Sequence, residues 1–396
     1  MVFLGYERPD GTVGTRNYVL VIPTVNCIND AACQIASAVP GVKYIAHSTS
    51  CGHKEDMEKT RLGIVGMAKN PNIYAALFVG IGCEPLKAEG MAEQASVTGK
   101  PMLGISVGEL GSFETFMEKG IEFVTRQLAA SKNCKRVPCD VSNLFVGTKC
   151  GGSGSLSALA NNPAIGRAVD MLIDLGGSAL FSETAETLGM EHNVIKRIQR
   201  KEDINKYRSY MDRINAELAH HKIDLLGSEP TPGNIRSGLS TIEEKSLGAI
   251  MKSGTKPITQ VLDYAEAPTC GRGLFFMNST SLADPIFAGA MAAGSQIGIF
   301  SVTGGLPSRI RALPSSGAGI ETYPVIRVLG SIDDREEAEY YDAYTGGFLL
   351  GEKTLDQIGQ IVFDALIASA SGKPTFIESH NRYYATINFY RTGIVL

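Results

Sequence analysis

Four cysteines in this sequence stand where an apolar run gives way to a turn: Cys27 after VLVIPTVN, Cys51 after YIAHSTS, Cys83 within LFVGIGCE and Cys150 within LFVGTKCGG. The last two segments nearly repeat each other, and the repeat is read as two thiols flanking one cleft. His53 lies two residues past Cys51, and Glu84 directly follows Cys83. Thiolate, imidazole and carboxylate together suit a divalent transition metal, so Cys51, His53, Cys83, Glu84 and Cys150 are candidate metal ligands. A cysteine also packs as a small hydrophobe. No C-x-x-C pair is present, and Cys134 and Cys139 have poor zinc spacing. Cys33, Cys134, Cys139 and Cys270 are read as packing.

Carboxylates form a second constellation. FSETAETLGME sets Glu183, Glu186 and Glu191 just past an apolar run, and STIEEKSLG sets Glu243, Glu244 and Lys245 at a helix start. Capping and the helix dipole alone favour acidic residues there, and Ser240 to Glu243 matches a capping box. A lysine among carboxylates can act as a general base or hold a substrate carboxylate. KCGGSGSLS has neither the dinucleotide spacing nor the Walker order. It reads as an anion-binding turn, with Lys149 and the N–H groups of Gly151, Gly152 and Ser153 ahead of the helix at PAIG.

The elements that position these groups alternate. YVLVIPTV, VKYIAHS, IYAALFVGIG and KPMLGISV are apolar runs, and DAACQIASAV and SFETFMEKGIEFVTRQLAAS have helical spacing. Such alternation predicts an open, doubly wound parallel sheet covered on both faces, a Rossmann-like α/β domain over residues 1–139. A second α/β domain, carrying the catalytic groups, is expected over 140–396. It opens with NLFVGTKC and continues through the helix PAIGRAVDMLIDLGG, the strand SALFSET and the long charged helical region NVIKRIQRKEDINKYRSYMDRINAELAHH. Ligands in such folds collect beyond the carboxyl ends of the strands, which is where the cysteines and glutamates fall.

With 37 basic and 41 acidic residues the net charge is −4, so no positive field exists to hold nucleic acid. No apolar run reaches the roughly 18 residues of a membrane span. A cytoplasmic protein that keeps its eight cysteines reduced is the expectation.

Several of these segments together resemble the altronate and galactarate dehydratase family in its large catalytic part. They are GYERPDGTVGTRNYVLVIPTVNC, CGHKEDMEKT, PNIYAALFVGIGCE, LFVGTKCGGSGSLSALANNPAIG, LFSETAETLGME and GLSTIEEKSLGAIMKSG. The resemblance implies a lyase, dependent on Fe2+ or Mn2+, that dehydrates a sugar acid to a 2-keto-3-deoxy acid. Such chemistry needs a base for the proton beside the carboxylate, a cation for the enediolate and an acid for the leaving group. Lys245, Glu183, Glu186 and Glu244 are the expected proton carriers. Arg16, Lys149, Gly151, Gly152, Ser153 and Arg309 are the expected substrate contacts. The sequence departs from the family at Gly154 and Asn278, where aspartates are usual, and in VTGGLPSRIRALPSSGAG, which supplies Arg309 and Arg311. Those arginines would suit a sulfonate. The alternative is therefore the large subunit of a sulfolactate sulfo-lyase, which eliminates sulfite; a non-catalytic assembly subunit is the alternative of another class. Because the family's small N-terminal domain is absent ahead of GYERPDG, the resemblance also implies a separate small subunit. A homo-oligomer is expected.

Overall fold

The computed structural model describes residues 1–302, 319–332 and 335–392. Its first strands are β1 (Val2–Glu7) and β2 (Val13–Gly14), followed by β3 (Tyr18–Pro23), β4 (Lys43–Tyr44), β5 (Ile73–Gly80) and β6 (Met102–Ser106). The strands β3 to β6 form a parallel sheet in the order β4-β3-β5-β6. Successive residues of a strand point to opposite faces, and here both faces are apolar. Val19, Val21, Ala75, Leu77 and Val79 pack against the helices Asn29–Ala38 and Phe113–Ser131. Leu20, Ile22, Ala76 and Phe78 turn the other way, towards the helices Lys54–Lys69 and Ala88–Ser96. Strand β7 (Val137–Asp140) returns to pair antiparallel with β1.

The second sheet is also parallel. It contains β8 (Phe145–Cys150), β9 (Ser178–Phe181), β10 (Ile258–Leu262), β11 (Leu274–Met277), β12 (Ile297–Val302), β13 (Val325–Leu329) and β14 (Ala343–Tyr344), in the order β10-β11-β9-β8-β12-β13-β14. Helices Asn162–Asp174 and Leu355–Ala370 cover one face. Helix Ala283–Ala292 covers the other and meets helix Lys54–Lys69 so closely that a side chain at Gly66 would meet the Ala292 carbonyl. One apolar core therefore joins the two sheets. The mixed α/β class with parallel sheets agrees with the sequence reading.

Two elements differ from it. VKYIAHS yields only the two-residue β4. The long charged region is broken between the helices Glu191–Ile195 and Lys201–His221, because the chain there pairs with β10: Ile258 N donates to Arg197 O at 2.7 Å and Gln199 N to Ile258 O at 3.1 Å.

Buried amides and one lysine fix the junction. Lys100 Nζ donates to the carbonyls of Ala68, Lys69 and Asn70 at the end of helix Lys54–Lys69, at 2.8–3.0 Å, a place that favours a cation. Asn70 Nδ2 donates across to Met291 O and Ser295 O, each at 2.7 Å. Lys100→Met is expected to lower the unfolding free energy by about 1–3 kcal/mol by stranding those acceptors, a change that a denaturant titration would measure.

Candidate active site

Strand β8 has β9 on one side and β12 on the other, and its own helix crosses to β9. The chain thus leaves β8 in one direction and returns in the other, and a crevice opens beyond the carboxyl ends at such a reversal. Cys150 is the last residue of β8. The turn after it must pass very near β12: Gly151 N donates to Ser301 O at 2.6 Å, and a Cβ at Gly151 would lie 2.6 Å from that oxygen. On the neighbouring strand, Glu183 follows β9 by two residues and adopts a left-handed backbone with φ +74°. That conformation is uncommon for a non-glycine residue and concentrates at functional sites.

The buried charges at this crevice form a ladder. Lys149 Nζ bonds to one oxygen of Glu183, and Lys252 Nζ reaches the other at 2.5 Å. The Cys150 N–H also faces both Glu183 oxygens at 3.3 Å. Lys245 Nζ lies 3.3 Å from Glu186 Oε1 and bonds to Glu229. Burial raises the Glu183 carboxyl, but Lys149 and Lys252 outweigh it and hold the group below the ordinary carboxyl value. Glu186 goes the other way: burial and then the charge of Glu183 push it up. Its Oε2 is buried and has no hydrogen-bond partner among the described residues. Burial also raises the Cys150 thiol to about 11, and its sulfur lies 3.6 Å from Asn162 Oδ1.

Cys150, Glu183 and Glu186 can bring one donor atom each within 4.8 Å of one another, and among the described residues they are the one such group that could hold a metal ion. One cysteine sulfur and two glutamate carboxyls, Glu186 having an open oxygen, match a divalent cation by donor type once the thiol loses its proton on metal binding. Several buried hydroxyls on the same segments are likewise unpartnered among the described residues: Ser153 in the turn, Ser182 beside Glu183, Ser246 beside Lys245, and Ser301 opposite Cys150 on β12. Unpaired buried polar atoms are costly, and these hydroxyls are donors and acceptors still available beside the charged ladder. The large cleft of about 790 Å3 lies elsewhere, at the amino ends of the strands, lined by Phe145, Ser178 and Gln296. It holds none of this chemistry.

The sequence-derived residues divide accordingly. Cys150, Glu183, Glu186, Lys149 and Lys245 come together, with Gly151, Gly152 and Ser153 in the adjoining turn. Cys51, His53 and Cys83 are exposed at the rim of the first sheet, and they do not join Cys150 in a single-ion donor group. Glu84 is corrected from metal ligand to turn brace: its carboxylate accepts from Thr24 Oγ1 at 2.9 Å, Ile81 N at 3.1 Å and Gly82 N at 2.8 Å. Arg16 is corrected from substrate contact to core ion pair. All five of its N–H groups are engaged, by Glu378 and by the carbonyls of Thr15, Ser369 and Lys373. Glu244 is a capping residue, since its exposed carboxylate accepts from Ser240 N and Oγ while Thr241 caps the helix. The capping box expected at Ser240 and Glu243 does not form: Thr241 caps the helix, and Glu244 reaches back to Ser240 instead of the Thr241 N–H. Arg309 and Arg311 lie outside the described residues. Glu244→Gln should change stability by no more than about 1 kcal/mol and leave kcat unchanged in a steady-state assay.

Lys252 and Glu229 escaped the sequence reading. Lys252 had a legible signal: it follows Lys245 by seven residues, two helical turns, inside the otherwise apolar LGAIMKSG.

Fold and site thus define a parallel-sheet α/β protein with a buried acid–base ladder at the reversal of its strand order. Residues 141–392 match the family model described as D-galactarate/altronate dehydratase, C-terminal, and residues 5–132 match D-galactarate dehydratase/altronate hydrolase, second domain. The chain belongs to this dehydratase family and is an enzyme of the lyase class. It is 35% identical over 393 residues to the (2R)-sulfolactate sulfo-lyase subunit beta of Chromohalobacter salexigens, covering 97% of both chains. Altronate dehydratase of Escherichia coli is 28% identical over 404 residues, covering 99% of this chain and 78% of that one. Galactarate dehydratase (L-threo-forming) of the same organism is 28% identical over 392 residues, covering 94% and 73%. No helix among the described residues is long and apolar enough to cross a membrane.

Proposed function

We propose that the chain catalyses β-elimination from a sugar acid such as altronate or galactarate, with Glu186 as the proton carrier. The observation that carries this reading is the contrast between two neighbouring carboxylates. Glu183 has both oxygens held by lysines, whereas Glu186 keeps a buried oxygen open and is pushed towards its protonated form. Environments that drive two carboxyls apart assign one to charge and the other to proton transfer. In the reaction the Cα–H proton passes to Glu186 and its electron pair forms the Cα=Cβ bond. The Cβ–O bond breaks and the oxygen takes a proton to leave as water. The resulting enol tautomerises to the 2-keto-3-deoxy acid. Lys245, paired with Glu186, would supply the leaving group's proton, and the Lys149–Glu183–Lys252 clamp would hold the field in which charge develops. Cys150, Glu183 and Glu186 would hold Fe2+ or Mn2+, which when bound would supply a Lewis acid for the negative charge that develops on the substrate.

The identity with a sulfolactate sulfo-lyase subunit over nearly the whole chain favours one second reading, sulfite elimination. That relative's name, subunit beta, also supports a separate partner subunit for this chain. The two reactions differ in their leaving group, because sulfite departs without a proton. Lys245→Met should therefore damage dehydration more than sulfite release. Protein purified anaerobically, with and without a candidate small subunit, would be assayed with altronate, galactarate and sulfolactate. A 2-keto-3-deoxy product supports the first reading, sulfite the second, and neither product from any substrate would count against both.

A further inference from the structure

All eight cysteines are free, and three of them, Cys27, Cys51 and Cys83, are exposed. Exposed free thiols are generally avoided in soluble proteins because of their reactivity. These three also share one place. They follow β3, β4 and β5, which are direct neighbours in the order β4-β3-β5. Backbone bonds tie the three turns together: Asn26 N, beside Cys27, donates to Thr49 O at 2.8 Å, and Thr24 N donates to Val79 O at 2.9 Å. Thr24 Oγ1 also reaches the Glu84 carboxylate at 2.9 Å. That carboxylate in turn receives the N–H groups of Ile81 and Gly82 and so fixes the turn that presents Cys83. Two helices of ten and sixteen residues, Asn29–Ala38 and Lys54–Lys69, begin just after Cys27 and His53, directing their positive ends to the same rim.

We propose that Cys27, Cys51 and Cys83 bind an iron–sulfur cluster, each thiolate on a different iron. A single ion needs all its donors close together, and these thiols form no group within 4.8 Å. A cluster separates its ligands over several metal atoms, and thiolates are its usual ligands. Three thiolates on a four-iron cluster leave one iron without a cysteine, open to a hydroxyl or carboxylate oxygen of a hydroxy acid. Glu84 acts as a positioning residue for the Cys83 turn. The chain's last described residues connect this rim to the second sheet: Arg391 Nη2 donates to Ser48 O at 3.2 Å and Thr392 N to Asp56 Oδ1 at 2.9 Å. Together with Asn278 they line a cavity of about 490 Å3.

The test is anaerobic reconstitution of the full chain with ferrous iron and sulfide, followed by desalting and assay of iron, acid-labile sulfide and visible absorbance. About four irons and four sulfides per chain are expected. Cys27→Ser, Cys51→Ser and Cys83→Ser should each lose most of both, while Cys33→Ser and Cys150→Ser should retain them. The replaced side chains are exposed, so unchanged melting curves should accompany the loss. Alkylation mapped by mass spectrometry gives a second readout, in which reconstitution should shield these three thiols in the unmutated chain. Iron bound without labile sulfide, a cluster that survives loss of all three thiols, or one lost with Cys150 would each overturn the proposal. None of these readouts depends on the substrate, so the cluster can fail or stand separately from the dehydratase reading.

Discussion

Glu186→Gln is expected to lower kcat by about 10²–10⁴-fold, the range supplied by a positioned acid or base, without destabilising the fold. The two halves of this expectation have one origin. Burial and the Glu183 charge raise the Glu186 carboxyl above its ordinary value of 4.5, so ionising it in the folded protein is unfavourable. A group raised in the folded state contributes stability that is fully present below its unfolded value and is lost as pH rises through the folded one. At neutral pH the ionised form therefore gives nothing to stability that glutamine would remove, and Glu186→Gln should be as stable as the parent or more so. Activity should fall because the amide cannot accept the α-proton. The pH profile of kcat/KM gives the check. The limb belonging to the raised carboxyl should vanish in the variant, and retention of both that limb and kcat would refute the assignment.

The sequence held the fold's repeating part and the chemical inventory, because those are local properties. Apolar runs such as IYAALFVG and glycine turns beside strand ends follow from pleat geometry and can be read without tertiary information. Helix Ala283–Ala292 is different. Eight of its ten residues are buried, so it has no polar face and no helical period to detect. The site was legible in composition and not in connectivity. Glu183, Glu186, Lys149, Lys245 and Cys150 could be chosen as reactive types, but nothing local says that Glu183 lies between two lysines. Arg16 and Glu84 show the converse: both look functional by type and motif, and both are engaged in structural bonds, Arg16 with Glu378 and three carbonyls, Glu84 with the Thr24 hydroxyl and two backbone N–H groups. Arg16→Gln should accordingly cost about 3–5 kcal/mol of stability, as breaking a buried pair does, with KM unchanged. A denaturant titration beside a KM measurement separates these outcomes.

Glu183→Gln should be the most destabilising single change in the ladder. It leaves Lys149 and Lys252 buried without their shared counter-charge, and removing one member of a buried ion pair costs about 3–5 kcal/mol. The sign with pH is opposite to that of Glu186. Glu183 is held below its ordinary value of 4.5 by the two lysines, in spite of burial. Its contribution is therefore present above 4.5 and is lost as pH falls through the folded value. Denaturant titrations of parent and variant should thus differ widely at neutral pH and converge as the solution is acidified below 4.5. Replacing Glu183, Lys149 and Lys252 together by Leu, Met and Met tests whether the clamp exists for stability or for chemistry. Exchange of a whole buried ionic group for apolar side chains of similar volume is often neutral or stabilising, so this variant should regain most of the stability that Glu183→Gln loses. It should remain inactive, because the field that the clamp sets around Glu186 and the carboxylate at the Cys150 donor group are both gone. Recovery of activity along with stability would show that the three charges serve only the fold.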